Sequence, residues 1–258
     1  TYFWRVKAVD KADNESNWSN LWKFTIDTPP VFSLLGILEN GVLKTVVQDR
    51  YITNWNTPVF VGDLTSTDIA SVKVFINETE KSTATINNMA WEATISNPLS
   101  DGSYNVKIIA TDLIGNTTTI EKELTIDTVA PSKPNITNTP NNAFTNINAI
   151  TVNWQGGDDQ GTNPSGIKGY IIRYVFTSAN GNTVTDWTSG LVEVGNPKTH
   201  SGTYGHGEGK YVIYLKTVDN AGNESPESEP YTITYDKTKP TIKILEPAEN
   251  SSHSGSLI

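Results

Sequence analysis

The residues of this sequence that could bind a metal ion belong to one short motif that occurs three times. Each copy has an aspartate followed four residues later by an asparagine: Asp10 and Asn14, Asp112 and Asn116, Asp219 and Asn223. A further aspartate follows each copy, at Asp27, Asp127 and Asp236. Carboxylate and carbonyl oxygens are the ligands that Ca²⁺ prefers, and the ion takes about six to eight of them. Because Asp and Asn side chains also bind their own backbone, the motif predicts either a calcium site or a tight turn.

The elements that position these aspartates are predicted to be β-hairpins. A tyrosine stands eight residues before the aspartate of each copy, at Tyr2, Tyr104 and Tyr211. Between tyrosine and aspartate the residues alternate, as Val106, Ile108 and Ala110 do in the second copy, and this period of two indicates a half-buried strand. Gly115 and Gly222 supply the turn that follows, because glycine adopts the left-handed backbone at no steric cost. Three such hairpins roughly a hundred residues apart predict a tandem array of one module.

The spacing of the copies predicts two whole modules and two partial ones. The predicted bounds are 1–28 for the last hairpin of a module, 29–128 and 129–238 for two whole modules, and 239–258 for the start of another. The strand-like runs are Tyr2–Asp10, Leu21–Asp27, Pro58–Leu64, Ala70–Asn77, Ala149–Trp154 and Ile167–Val175. Short alternating runs bounded by Gly, Pro, Asn and Asp favour an all-β fold of tandem Greek-key β-sandwiches. Both ends of the sequence fall inside a predicted module, so we expect an excerpt of a longer protein.

The hairpins resemble those of bacterial immunoglobulin-like (Ig-like) and fibronectin type III modules. The resemblance rests on the runs Thr111–Asn116 and Val218–Ser225 and on the proline-containing linker Ile126–Pro131. The first whole module resembles a bacterial Ig-like repeat in Val72–Asn77, Trp91 and Asp101–Tyr104, and the second leans to fibronectin type III in Trp154, Gly166–Tyr170 and Tyr211. The resemblance implies that each repeated tyrosine forms a corner, with its hydroxyl bonded to the backbone upstream and its ring buried.

The fold predicts which aspartates should meet at the joints between modules. In a seven-stranded Greek-key sandwich, the turn between the sixth and seventh strands lies at the pole where the chain enters. We therefore expect Asp112 near Asp27, and Asp219 near Asp127. The loop between the second and third strands shares that pole, and the remaining candidate ligands are Asp63 or Asp68 in the first module, Asp158 and Asp159 in the second, and the carbonyls of Asn116 and Asn223. We therefore predict that Ca²⁺ binds at the joints and stiffens the chain. The resemblance supports this, since some bacterial Ig-like adhesin arrays bind calcium at such joints. The alternative is that these residues only form turns.

The tryptophans divide into core candidates and surface candidates. Trp4, Trp91 and Trp154 lie on alternating runs, which predicts a place in the core. Trp18, Trp55 and Trp187 lie in polar stretches and are the candidates for stacking on sugar rings, although packing across a loop is the competing interpretation.

Composition and motifs argue against several functions. A net charge of −9 argues against nucleic acid as a partner, and no apolar stretch is long enough for a membrane-spanning helix. His200, His206 and Glu208 share a glycine-rich stretch, but their spacing matches no common metal site, so we expect a surface loop. The sequence has no cysteine and no nucleophile elbow, phosphate loop or zinc-protease motif, so we expect no enzyme.

The predicted function is a non-catalytic spacer in a secreted or cell-surface bacterial protein. Its expected partners are the neighbouring modules and a glycan or another cell-surface ligand. One alternative is a set of accessory, carbohydrate-binding modules of an extracellular polysaccharide-degrading enzyme. Another is direct adhesion through the loops at 156–166 or 195–209.

Overall fold

A computed structural model describes residues 1–45, 49–192, 198–243 and 245, without the side chains of residues 185–189. These residues form β-strands and no helix, so the all-β prediction is confirmed. No described segment is a helix of the length and apolarity that a membrane span needs. The predicted loop at 195–209 is described only from residue 198, and most of the predicted partial module at 239–258 lies outside the described residues.

The first hairpin consists of two short strands, β1 (Tyr2–Trp4) and β2 (Trp22–Phe24). They pair antiparallel, with Tyr2 opposite Phe24 and Trp4 opposite Trp22. Both are shorter than predicted because serine hydroxyls interrupt the ladder: Ser16 Oγ accepts a 2.9 Å hydrogen bond from the backbone N–H of Ala8. Trp4 is 47% exposed, and its predicted place in the core is wrong. A two-stranded hairpin offers a single layer, so its aromatic side chains contact each other rather than a facing sheet.

The first sandwich packs one five-stranded sheet against another. Its strands are β3 (Gly36–Glu39), β4 (Val42–Lys44), β5 (Arg50–Thr53), β6 (Val59–Asp63), β7 (Ile69–Ile76), β8 (Thr79–Thr83), β9 (Thr85–Asn87), β10 (Ala90–Thr94), β11 (Gly102–Asp112) and β12 (Thr117–Ile126). The sheet orders are β4-β3-β6-β10-β9 and β5-β12-β11-β7-β8. Alternate residues of β7 and β11, such as Val72, Val74 and Ile108, are fully buried in the core, as the period of two predicted.

Trp91 occupies the core of this sandwich, as predicted. It is 2% exposed, and its indole Nε1 donates a 3.0 Å hydrogen bond to the carbonyl of Ser33. The indole fits because Gly62 lies opposite Trp91 in the β6–β10 ladder. A Cβ atom on Gly62 would stand 1.9 Å from the Ser33 carbonyl oxygen and 2.5 Å from Trp91 Nε1. The close approach of the indole to the backbone therefore requires glycine at this position.

The second sandwich has a three-stranded and a five-stranded sheet. Its strands are β13 (Pro134–Ile136), β14 (Ala143–Thr145), β15 (Ile150–Gly156), β16 (Ile167–Ser178), β17 (Thr183–Val192), β18 (Thr199–Gly202), β19 (Gly209–Asp219) and β20 (Tyr231–Tyr235). The sheet orders are β13-β15-β18 and β14-β20-β19-β16-β17. Trp154 lies in this core, as predicted, with its ring edge-on to Tyr170 at a centroid distance of 4.8 Å. The core is unusually rich in tyrosine, since Tyr204, Tyr211 and Tyr235 also contact one another within it.

The chain divides into two compact units. The first comprises Thr1–Val129 and Gly161–Ser165, and the second comprises Ala130–Gln160 and Gly166–Ile258. The partition into two whole and two partial modules remains a prediction.

The predicted tyrosine corner forms in both sandwiches. The hydroxyl of Tyr104 donates to the carbonyl of Ser100 at 2.7 Å, and that of Tyr211 donates to the carbonyl of Gly207 at 2.8 Å. Each bond spans four residues and joins a strand to the turn before it. Tyr2, the third tyrosine, has no hydroxyl hydrogen bond to any described residue and stacks on Phe24 instead.

Candidate metal site

All three Asp-Asn motifs form the same closed turn. In each, the asparagine backbone N–H and side-chain Nδ2 donate to the two carboxylate oxygens of the aspartate, and the aspartate N–H donates to the asparagine carbonyl. The carboxylate bonds measure 2.9 and 2.9 Å in Asp10–Asn14, 2.8 and 2.9 Å in Asp112–Asn116, and 2.8 and 2.7 Å in Asp219–Asn223. The turn-forming interpretation of the motif therefore holds in every copy.

Burial distinguishes the three copies. Asp10 is exposed, whereas Asp112 is 2% exposed and Asp219 is fully buried. Burial by itself would raise the pKa of the Asp112 carboxyl. Hydrogen bonds from the Asn116 side chain and from the backbone N–H groups of Asn116, Ile114 and Gly115 outweigh that effect and hold the pKa below its usual value. Asp112 is therefore a buried carboxylate that stays ionised at neutral pH.

Three carboxylates of the first unit converge on this turn. One oxygen each of Asp27, Asp68 and Asp112 lies within 4.8 Å of the others. Asp27 follows β2, Asp68 precedes β7, and Asp112 ends β11, so three segments distant in sequence contribute one group each. The backbone fixes the arrangement, because Leu113 N–H donates to the Asp68 carbonyl at 3.0 Å.

The cluster agrees with the predicted meeting of Asp27 and Asp112 and selects one of two loop candidates. Asp68 contributes, whereas Asp63 lies opposite Ala90 in the β6–β10 ladder and is not part of the group. No Lys or Arg of the described chain lies within ion-pair distance of the three carboxylates. The Asn116 carbonyl, a predicted ligand, already accepts the N–H of Asp112 at 3.0 Å.

The predicted ligands of the second module have protein partners within their own units. In the first unit, Asp127 is 1% exposed and accepts the N–H groups of Val129 and Ser165 at 3.2 and 2.8 Å. In the second unit, Asp158 forms an ion pair with Lys198 at 2.9 Å. Asp159 accepts the N–H groups of Gln160 and Gly166. Lys198 is separated from Asp158 by forty positions, so sequence reasoning missed this neutralising partner.

The histidine candidates serve as packing groups. His206 stacks on Phe176 with an interplanar angle of 19° and meets Tyr174 edge-on. Glu208 accepts hydrogen bonds from the Lys237 N–H and the Thr238 hydroxyl. His200 lies on β18 opposite Val152. Among the described residues, these side chains form no group that could hold a metal ion.

The surface tryptophans have different environments. Trp18 is exposed on one side, and the guanidinium carbon of Arg5 lies 4.4 Å from its ring centroid. Trp55 is 37% exposed. The side chain of Trp187 lies outside the described residues.

The first sandwich matches a known family. Residues 45–128 match the family model described as a bacterial Ig-like domain. The match agrees with the predicted resemblance of the first whole module to a bacterial Ig-like repeat. No curated protein matches the chain. The fibronectin type III character of the second sandwich remains a prediction.

The chain is similar at low sequence identity to several solved structures. One is the Bacteroides ovatus protein SGBP-B of a mixed-linkage glucan utilization locus, solved with a heptasaccharide (20% identity, TM-score 0.30, covering 81% of this chain and 48% of that one). A second is a 1.5-MDa bacterial ice-binding adhesin (16% identity, TM-score 0.36, covering 81% of this chain and 65% of that one). A third is a tetra-tandem repeat from the extending region of a large adhesion protein (16% identity, TM-score 0.27, covering 90% of this chain and 56% of that one). The chain spans about half to two thirds of these structures, and likenesses at this level carry no argument about function.

Proposed function

We propose that this chain is a non-catalytic spacer segment of a secreted or cell-surface bacterial protein. The observation that supports this most directly is that the repeated polar residues are used inside the modules. Both tyrosine corners and all three Asp-Asn turns bond to the backbone of their own hairpin. A motif repeated to close a fold is what a structural module requires.

Three further features support a mechanical role. Each sandwich buries its own hydrophobic core, so each can withstand load without the other. The segments after Asp27 and Asp127 contain proline, at Pro29, Pro30 and Pro131, which limits the bending of a linker. A net charge of −9 keeps neighbouring copies apart in solution.

Force spectroscopy on the full chain tests this proposal. Two independent sandwiches should unfold in two separate events, each releasing roughly 100 residues and lengthening the chain by about 300 Å. Each module should unfold at its own force while the other module stays folded. A single cooperative event that releases both sandwiches together would contradict the proposal.

We further propose that Ca²⁺ binds the cluster of Asp27, Asp68 and Asp112. Three carboxylates this close repel one another unless a cation or a proton neutralises them. Hydrogen bonds favour the ionised form of Asp112, and no described Lys or Arg pairs with the group, so a hard divalent cation fits the donor set. Calcium around Asp127 and Asp219 remains a prediction from the sequence.

Thermal melts with calcium or with EDTA test the cation proposal. A site with a dissociation constant near ~10⁻⁴ M would add about 1.4 kcal/mol at ~1 mM calcium and raise the midpoint of the first unit by about 5 °C. Asp68→Asn should abolish the rise. The matched control Asp63→Asn should keep it, because Asp63 lies outside the cluster. Identical melts of the unmodified chain with calcium and EDTA would leave these aspartates as turn formers only.

Glycan binding is the second candidate function, with one supporting observation. The exposed rings of Tyr2 and Phe24 stack nearly parallel, at 5.2 Å and 17°, beside the exposed pair Trp4 and Trp22. An aromatic face of this kind can stack on sugar rings. Affinity electrophoresis through soluble β-glucans, with Trp22→Ala as the comparison, tests it: retardation that disappears in the variant supports glycan binding, and unchanged mobility refutes it.

A further inference from the structure

The second sandwich contains a cavity that its structural role does not require. The cavity has a volume of about 350 Å³ and is lined from both sheets. The lining residues are Ile150, Val152, His200 and Gly202 from β15 and β18, Ile172, Tyr174 and Ile213 from β16 and β19, and Thr203 and Gly205 from the segment after β18. A packed β-sandwich interior normally leaves few voids larger than a water molecule.

The inner wall of the cavity is apolar. Val152, Ile172 and Ile213 are each 3% exposed and form its floor with Ile150. The ring of Tyr174 forms a side wall, and its orientation is fixed by an edge contact with Tyr211 at a centroid distance of 5.5 Å. A preformed aliphatic floor beside a held aromatic ring suits a flat apolar molecule, because aromatic rings pack edge-on or offset against one another.

A few polar groups lie at the rim. Thr203 and His200 each offer a hydrogen-bonding side chain, and Gly202 and Gly205 have no side chain that could cover the backbone. The described lining includes no Lys, Arg, Asp or Glu. Ligand sites of about 300 to 1,000 Å³ with an apolar wall and a few polar groups are typical of small-molecule binding. A charged ligand would lose its hydration here without gaining an opposite charge.

We propose that this cavity binds a small uncharged aromatic molecule of one or two rings. Its apolar edge would lie on Val152, Ile172 and Ile213, and a single polar substituent would face His200 and Thr203. The volume sets the size: an engineered apolar cavity of about 150 Å³ takes benzene, so this one accommodates a larger, substituted ring system. This property is independent of the spacer role, which requires no ligand.

Methyl NMR on the full chain tests the proposal with p-cresol as the probe. In a chain labelled at isoleucine δ1 methyls, Ile150, Ile172 and Ile213 should shift on titration and saturate together. The internal controls are Ile37 and Ile108, which lie in the core of the first sandwich and should not move. Saturable shifts confined to the three cavity isoleucines support the proposal. Absent shifts, or shifts concentrated at Ile26 of the exposed hairpin, overturn it.

A variant at the rim provides the second arm. A Cβ on Gly205 would have only the Tyr174 hydroxyl nearby, at 3.6 Å, so Gly205→Leu places a side chain at the rim without a backbone clash. We expect it to weaken p-cresol binding at least tenfold while leaving the melting midpoint of the second unit unchanged. The control Ala179→Leu places the same side chain at an exposed position of the β16–β17 turn, away from the cavity lining, and should bind as the unmodified chain does. Equal affinity in Gly205→Leu and the unmodified chain would contradict the assignment of the cavity.

Discussion

Asn116 donates a 2.9 Å hydrogen bond from its side chain to Oδ2 of Asp112, and through it closes the turn that ends β11. The same bond joins Asn223 to Asp219 at 2.7 Å at the end of β19. One pair of residue types therefore performs the same task in both sandwiches. The buried carboxylate makes the pair costly to remove, because each aspartate accepts three hydrogen bonds that are lost together.

We predict that Asp219→Ala strongly destabilises the second unit. The substitution removes a fully buried carboxylate and leaves the N–H groups of Gly222 and Asn223 and the Asn223 amide without their acceptor in a part-buried turn. The expected loss in the free energy of unfolding is about 3 kcal/mol or more, measured by urea denaturation. Asp10→Ala is the matched control: it removes the same turn on an exposed hairpin and should cost less than about 0.5 kcal/mol. Equal losses would show that burial does not set the cost.

Two tyrosines of one core should respond oppositely to loss of the hydroxyl. Tyr211→Phe removes the corner bond to Gly207 and should cost about 1 kcal/mol in the free energy of unfolding. The buried hydroxyl of Tyr204 has no hydrogen-bond partner among the described residues. Tyr204→Phe should therefore be neutral or stabilising, because it removes an unpaired polar atom from the core. Chemical denaturation of both variants decides this, and a larger loss for Tyr204→Phe would contradict it.

The second unit should lose stability at alkaline pH. Burial raises the pKa of Tyr204 and Tyr211 to about 12, against about 10 in an unfolded chain. Above pH ~10 the unfolded chain releases protons that the folded chain still holds, so the free energy of unfolding falls as the pH rises toward ~12. This contribution is fully present below pH ~10. Urea midpoints of the second unit at rising pH measure the decline, and Tyr204→Phe should make it shallower.

Gly62→Ala should destabilise the first unit. The added methyl would overlap the Ser33 carbonyl and the Trp91 indole, so the indole or the strand must move. The expected cost is about 3 kcal/mol, read as a lower midpoint of the first unit in thermal melts. At Gly202 a Cβ would meet nothing within 4 Å. Gly202→Ala is therefore the control, and it should change the thermal midpoint of the second unit little. A neutral Gly62→Ala would mean that the indole does not require this close approach.

Local sequence pattern was sufficient for much of the fold. The alternation in β7, β11 and β19 predicted the buried faces, because side chains of a strand point to opposite sides whatever its partner. The Asp-Asn turns were predicted from local sequence, since each bond spans four residues, whereas the tyrosine corners were predicted from the resemblance to Ig-like and fibronectin type III modules. The short length of β1 and β2 was not predicted, because serine hydroxyls in the same hairpin take the place of ladder hydrogen bonds.

Residue types and their spacing were enough to predict the all-β class, the repeated hairpins, the closed Asp-Asn turns and the buried places of Trp91 and Trp154. Which distant side chains meet became clear only from the folded structure. It placed Asp68 rather than Asp63 beside Asp112, gave Asp158 the partner Lys198, and left Trp4 without a facing sheet. Turns and strand faces depend on residues that are neighbours along the chain. Clusters and cavities depend on the packing of strands that lie tens of residues apart in the sequence.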